Sequence, residues 1–339
     1  MKHNLNLIIG NHRSPVGISD ICELFTGALN FELKTSLFAD ESKVNLIIED
    51  FSSKDFTDYL INSNIEICLI LTEFMRKGLF GRIHLNKFGL KSHPVFILLG
   101  DIFIAILRIL KTFLPKRFRI KVEKLIYWKN REVGLRRVFT EGNLLSVICL
   151  HPEIETQTRQ ILNSSKIKHF GTIYPRLKDI KRINPDTSNM TLVSFGSKNK
   201  YRNKQIRKFN ESFPMQLLAP NFTETAKGDS IEIDNGFIDV YFRNSKDWPF
   251  LSPVRFWRTL RKGSIIIYFG DEKDDHPIYK CGRQIPNFYS FPSAMSNFSE
   301  VVAETRSNIK KYDEIAKIQN LQVMQILESS ISGFNRDNA

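Results

Sequence analysis

Cysteine is scarce in this sequence, and the four residues present, Cys22, Cys68, Cys149 and Cys281, lie far apart. No two have the spacing of a metal knuckle or a redox pair, and the first three sit inside apolar runs. Structural thiols in a reduced, cytosolic protein are therefore expected. Long apolar runs are missing as well. The longest candidate, Pro94 to Leu110, has 17 residues and contains Asp101 and Arg108. It falls short of the ~20 residues that span a bilayer, and two charges inside it would be costly. Met1-Lys2-His3 leads directly into strand-like sequence, so no signal peptide is expected. The three-glycine dinucleotide fingerprint is absent, as is the G-K-[ST] ending of a phosphate loop. There is no recognisable nucleic-acid module, internal repeat or low-complexity tract, and no nucleic-acid partner is expected.

What is present is a chain of 339 residues, 42% hydrophobic and 25% charged, the composition of a globular protein long enough for two domains. The formal net charge is +13, which calls for an anionic surface or phosphate-bearing ligands. That charge is concentrated. Residues 111–137 hold ten Lys or Arg against Glu123 and Glu132, a net +8. Phe113, Phe118, Tyr127 and Trp128 lie among them. Residues 94–137 are therefore expected to rest on an anionic membrane surface. The alternatives are a buried helix with a solvated basic face, or an RNA-binding patch.

The pattern before and after this run alternates strands and helices. Asn4–Ile9 reads as a strand, followed by a loop with Gly10, His12 and Arg13 and a helix from Ser19. Strands follow over Lys34–Phe38, Val44–Ile48 and Glu66–Leu71, the last running into Glu73, with a helix over Phe56–Ile61. Leu144–Leu150 is strand-like again and runs into His151-Pro152-Glu153, and Ile167–Tyr174 follows. Polar residues at strand C-termini are placed for ligand contact or proton transfer, which makes Glu73, His151 and Glu153 candidates; a capping or surface glutamate is the alternative for Glu73, and His12 on its own reads as a solvated loop histidine. For His151 and Glu153 a plain helix start is an equal reading. Asp179–Ser188 reads as the interdomain linker.

Met190–Phe195 opens the second half as a strand and feeds Gly196, then a basic run with Lys198, Lys200 and Arg202. Backbone N–H groups and cations there suit a diphosphate, and a solvated basic helix is the alternative. Residues 238–271 form a strand–helix–strand unit. Ser252-Pro253 has the chemistry of a helix start, and Gly263 that of a stop. Ile265-Ile266-Ile267 is the following strand. Residues 295–331 are periodic at helical spacing. The acidic cluster Asp271–Asp275 follows a late strand, and no metal site is expected of it.

Arg255, Leu260, Gly263 and Ile265 resemble the pattern S-x-R-x-x-E-A-L-x-x-G-x-I-P-V of exostosin-like and related GT-B glycosyltransferases. Pro253, Arg258 and Ile266 depart from it, at its serine, glutamate and proline. The resemblance implies two Rossmann-like α/β domains facing a cleft. Residues 1–178 would be the acceptor domain, with a basic amphipathic helical insertion at about 82–142. Residues 189–339 would be the donor domain with closing C-terminal helices. It implies metal-independent transfer of a sugar from a nucleotide-sugar donor to a glycan or lipid-linked acceptor in surface polysaccharide biosynthesis. No cofactor beyond the donor substrate is expected. The donor side would comprise Gly10, Arg13, Gly196, Lys198, Lys200, Arg202, Ser252 and Arg255. His12, Glu73, His151 and Glu153 would serve the acceptor. The expected location is the cytoplasm, peripheral to the inner face of the cytoplasmic membrane. Two readings compete with this one. A non-catalytic basic membrane- or polysaccharide-binding protein could keep the fold, or the chain could be an RNA-associated protein; for Arg255 itself the alternative is a structural residue paired with an acid such as Asp247 or Asp271.

Overall fold

The computed structural model describes residues 5–9, 15–29, 33–72, 75–77, 83–85, 102, 105–162, 167, 169–178, 191–195, 200–219, 237–242, 251–269 and 276–337. The chain is an α/β protein with two separate parallel sheets. It divides into two compact units: Met1–Ile173 with Gln319–Ala339, and Tyr174–Ile318. The expected linker at 179–188 lies outside the described residues.

In the first unit, β1 (Leu5–Ile8), β2 (Leu33–Ser36), β3 (Val44–Ile48), β4 (Ile67–Leu71), β7 (Leu144–Cys149) and β8 (His169–Thr172) form one sheet. The order is β2-β1-β3-β4-β7-β8, and every pairing is parallel. β3 and β4 are buried at every position. That is why Val-Asn-Leu-Ile-Ile and Ile-Cys-Leu-Ile-Leu read as continuous rather than alternating runs. The polar exceptions answer each other: Asn6 Nδ2 donates to Asn45 Oδ1 at 2.9 Å across β1 and β3. The helices of this unit include α1 (Pro15–Leu29), α2 (Lys54–Asn62), α3 (Lys116–Glu141) and α4 (Pro152–Leu162). A hairpin of β5 (Met75–Lys77) and β6 (Ile83–Leu85) precedes α3.

The basic run does not behave as one piece. From Lys129 onward α3 is the crossover helix that covers the sheet between β4 and β7, with Leu135 and Val138 buried. Its cations there are tied down. Lys129 Nζ meets Glu132 Oε1 at 2.5 Å, Arg131 Nη2 meets Glu49 Oε1 at 2.6 Å, and Arg137 bonds both Asp58 and Glu141. These paired cations are not available to a membrane surface, contrary to the expectation for the whole of 94–137; residues 94–101 lie outside the described residues. No helix among the described residues is long and apolar enough to cross a membrane.

In the second unit, β9 (Thr191–Val193), β10 (Leu217–Leu218), β11 (Phe237–Tyr241), β12 (Ile265–Phe269) and β13 (Arg283–Ile285) form a parallel sheet in the order β10-β9-β11-β12-β13. Helices α5 (Lys200–Ser212), α6 (Pro253–Arg261), α7 (Phe291–Ser296) and α8 (Phe298–Asp337) follow the strands. The first unit's residues continue α8 from Gln319. α6 starts and stops as its sequence dictates. The Ser252 side chain accepts from Arg255 N, Pro253 opens the first turn, and Gly263 takes φ 75°. The return past β8 is pinned by Arg176, whose guanidinium meets Asp313 with Nε–Oδ1 2.8 Å and Nη2–Oδ2 2.6 Å.

Gly134 of α3 crosses Phe51 so closely that a Cβ would lie 2.2 Å from the Phe51 carbonyl oxygen. Gly134→Ala should therefore destabilise the chain by roughly 1–3 kcal/mol, since neither backbone can give way freely. Gly27→Ala, in α1 with nothing within 4 Å of the new methyl, should be neutral or stabilising by up to ~1 kcal/mol. Urea denaturation of the two variants checks this. Equal midpoints would remove the close approach as a packing constraint.

Candidate functional site

A parallel sheet of this kind presents ligands beyond its strand C-termini, at the point where strand order reverses. In the second unit that point lies between β9 and β11. Ser194 follows β9, Arg202 sits in the first turn of α5, Tyr241 ends β11, and Ser252 and Arg255 begin α6. Asp239, inside β11, has no exposed surface. A carboxylate placed there must be answered, and Arg255 does so bidentately: Nε donates to Oδ2 at 3.0 Å and Nη2 donates to Oδ1. Thr259 Oγ1 donates to Oδ2 at 3.1 Å. The Arg255 guanidinium also lies 4.0 Å over the Tyr241 ring, and the Tyr241 hydroxyl accepts from Ser252 N at 3.0 Å. Arg255 thus does pair with an acid, but with Asp239 on the strand; Asp247 and Asp271 lie outside the described residues.

Arg202 is the second cation of this corner. It is 1% exposed, and its Nη2 donates to Ser194 Oγ at 3.0 Å. Burial, then the charge of Arg255, push its pKa down to about 10, against the pull of Asp239 and Tyr241. The charged form is thus held at some cost, which an anion brought to this corner would offset. Phe242 and Phe269, at the ends of β11 and β12, stack at 5.3 Å, and Phe209 of α5 lies against both. These rings pack on one another where the ends of β11 and β12 meet α5. Lys200 begins α5 with its side chain exposed. Gly196 and Lys198 lie outside the described residues.

In the first unit the strand order reverses between β1 and β3. Gly10, His12, Arg13 and Glu73 lie outside the described residues. His151 and Glu153 are placed at the start of α4. His151 is buried, and its Nδ1 accepts from Glu153 N at 3.1 Å, which makes it the cap of that helix. Glu153 lies in the first turn and accepts from Gln157 Nε2 at 3.4 Å. Both polar groups therefore serve the helix start.

Two carboxylates that sequence reasoning passed over stand at the end of β3. Glu49, fully buried, accepts from Thr72 N at 2.6 Å, from Thr72 Oγ1, and from Arg131 Nη2 at 2.6 Å, while Arg131 Nε bonds its carbonyl. Asp50 is 6% exposed; Tyr127 Oη donates to its Oδ2 at 2.9 Å, and its buried Oδ1 accepts no hydrogen bond from any of the described residues. The available signal was the step from Val-Asn-Leu-Ile-Ile straight to Glu-Asp, acids set at the C-terminus of a buried strand. Nearby Cys149 is fully buried. Burial, with Glu155 and Glu49 adding to it, raises its thiol pKa well above the usual value. No three metal-ligating side chains come together among the described residues.

No protein-family model matches the chain, and no curated protein matches it. The functional reading therefore stands on the geometry of the side chains and on the fold.

The Glu49–Arg131 pair is buried on both sides, with side-chain exposures of 0% and 8%. Arg131→Ala should lower stability by about 3–5 kcal/mol because it strands a buried carboxylate. Glu49→Gln combined with Arg131→Met should regain a large share. If the double variant is no more stable in urea than the single one, the cost lies in lost packing and not in the charge.

Proposed function

We propose that the chain is a glycosyltransferase of GT-B type that moves a sugar from a nucleotide-linked donor to a glycan or lipid-linked acceptor. In this reading the second unit holds the donor and the first unit the acceptor. The observation that supports it is the convergence of Arg202 and Arg255 at the order reversal of the second sheet, beside the N-terminus of α6. Departure of a nucleoside diphosphate leaves about two negative charges, which cations and helix N–H groups in an apolar setting stabilise. Asp239 occupies Nε and Nη2 of Arg255 and fixes its plane. Among the described residues Nη1 has no hydrogen-bond acceptor, so it remains available to a phosphate oxygen. Lys200 and Ser252 flank the same corner, and Gly196 and Lys198 join it on the strength of the sequence alone.

On the acceptor side the hydroxyl must lose a proton if the anomeric centre inverts. To His12, Glu73, His151 and Glu153 we add Asp50, whose Oδ1 accepts no hydrogen bond among the described residues. His151 could act there only through Nε2, since Nδ1 is engaged as a cap. A second reading, a non-catalytic polysaccharide-binding protein, is favoured by Arg258, which stands where the resembled pattern has a glutamate.

A thermal-shift screen against nucleoside diphosphates and nucleotide sugars tests the proposal. A ligand at about 100 times its dissociation constant should add ~2.7 kcal/mol. Arg255→Ala alone should cost about 3–5 kcal/mol, because Asp239 is left buried and uncompensated. Arg255→Ala with Asp239→Asn should restore much of that loss yet bind the diphosphate about tenfold or more weakly, the equivalent of ~1.4 kcal/mol. Restored stability with undiminished affinity would remove the donor from this helix. Binding without any sugar transfer or donor hydrolysis would favour the second reading.

A further inference from the structure

Residues 105–110 are helical, Lys111–Phe113 form one 3-10 turn, and Pro115 precedes α3. The two arms fold back on each other. Arg119 Nη2 donates to the Thr112 carbonyl at 3.1 Å, and Arg108 Nη2 donates to Asn130 Oδ1. Both arms turn large apolar side chains to solvent: Ile106 (48% exposed), Ile109 (72%), Leu110 (45%) and Phe113 (82%) on one, Phe118 (56%) and Ile120 (59%) on the other. An exposed apolar cluster of this density marks an interaction surface. Between residues 102 and 122 there is no Asp or Glu, while Arg108, Lys111, Lys116, Arg117, Arg119 and Lys121 are interleaved with the apolar residues.

We propose that this helical hairpin, residues 105–121, seats the chain on an anionic lipid bilayer, with its aliphatic and aromatic side chains in the acyl boundary and its six cations among the headgroups. The mixture of side chains selects this occupant. Nucleic acid would reward the cations and stack on Phe113 and Phe118, but it gains nothing from Ile106, Ile109, Leu110 and Ile120. A second copy of the chain would bury those aliphatics only by bringing six cations against six. A bilayer with acidic headgroups satisfies both halves of the surface, and long basic side chains can reach the headgroups while their stems stay apolar. This inference stands independently of the donor site, because every residue it uses belongs to the first unit.

The test is sedimentation of the full chain with vesicles of equimolar phosphatidylcholine and phosphatidylglycerol, and with vesicles of phosphatidylcholine alone. Binding is expected to the acidic vesicles, with release at high salt. Exchanging Lys111, Lys116, Arg117 and Lys121 for Gln should weaken it by about fivefold per cation removed. Phe113→Ser with Ile109→Ser should weaken it as strongly on the acidic vesicles, and both variants should keep the parent melting temperature because the side chains are exposed. Equal binding to neutral vesicles overturns the proposal, as does binding indifferent to both sets of substitutions. Loss of vesicle binding to competing tRNA, or a concentration-dependent dimer that Phe113→Ser dissolves in place of vesicle binding, also overturns it.

Discussion

A charged carboxylate with no exposed surface, set inside a strand of a parallel sheet, cannot be left to water. Asp239 imposes that condition on the second unit. Its two oxygens receive Arg255 and Thr259, both from α6, so the helix is held in register against β11 by three hydrogen bonds to one side chain. The start of α6 is fixed by the same requirement. Ser252 caps Arg255 N, and Tyr241 both receives Ser252 N and underlies the guanidinium. Removing the acid would cost less than removing its partner, because only the second change leaves an unanswered buried charge. The first unit meets the same condition at the corresponding place. Glu49, just past β3, is answered by the fork of Arg131 from α3. In both sheets the strand concerned stands next to the point where strand order reverses.

How much of this was legible in the sequence depends on how local each interaction is. The start of α6 at Ser252-Pro253 and its stop at Gly263 are written in adjacent residues, and both are where the chain predicts them. Val44–Ile48 is likewise a strand from end to end, because burial on both faces demands an unbroken apolar run. The ion pairs were not legible. Arg131 and Glu49 are 82 positions apart and Arg255 and Asp239 are 16 apart, and no spacing rule joins a helix residue to a strand residue. For the same reason Arg255 could be marked as a cation of interest while its partner was misplaced.

The basic run shows a different limit. Composition reports that residues 111–137 carry a net +8, but not which of those charges are already satisfied. Lys129, Arg131, Arg136 and Arg137 face carboxylates within 4.0 Å. Lys111, Lys116 and Arg117 face none among the described residues. The divide falls where the helix passes from bare solvent onto the sheet, near Val122, the first buried residue of α3. Only a tertiary contact could mark that point. β-strand and helix assignments survive such ignorance because they depend on neighbours, whereas the meaning of a charge depends on what lies across from it.

That difference bears on the corner proposed for the donor. An arginine whose carboxylate partner is buried is already neutralised, so Arg255 by itself offers an incoming phosphate little net charge. What distinguishes the corner is the second guanidinium. Arg202 is buried beside Arg255, and its depressed pKa reports that burial and repulsion outweigh the attraction of Asp239. A phosphate arriving there would meet a cation whose desolvation was met on folding, in a buried setting where each hydrogen bond is worth more than in water. Asp239 then has two effects at once: it holds Arg255 in plane, and its charge offsets part of the repulsion that Arg255 exerts on Arg202. Without it Arg202 would keep the repulsion of Arg255 and lose the attraction that opposes it. The seating of α6 and the charge balance of this corner thus rest on the same three side chains.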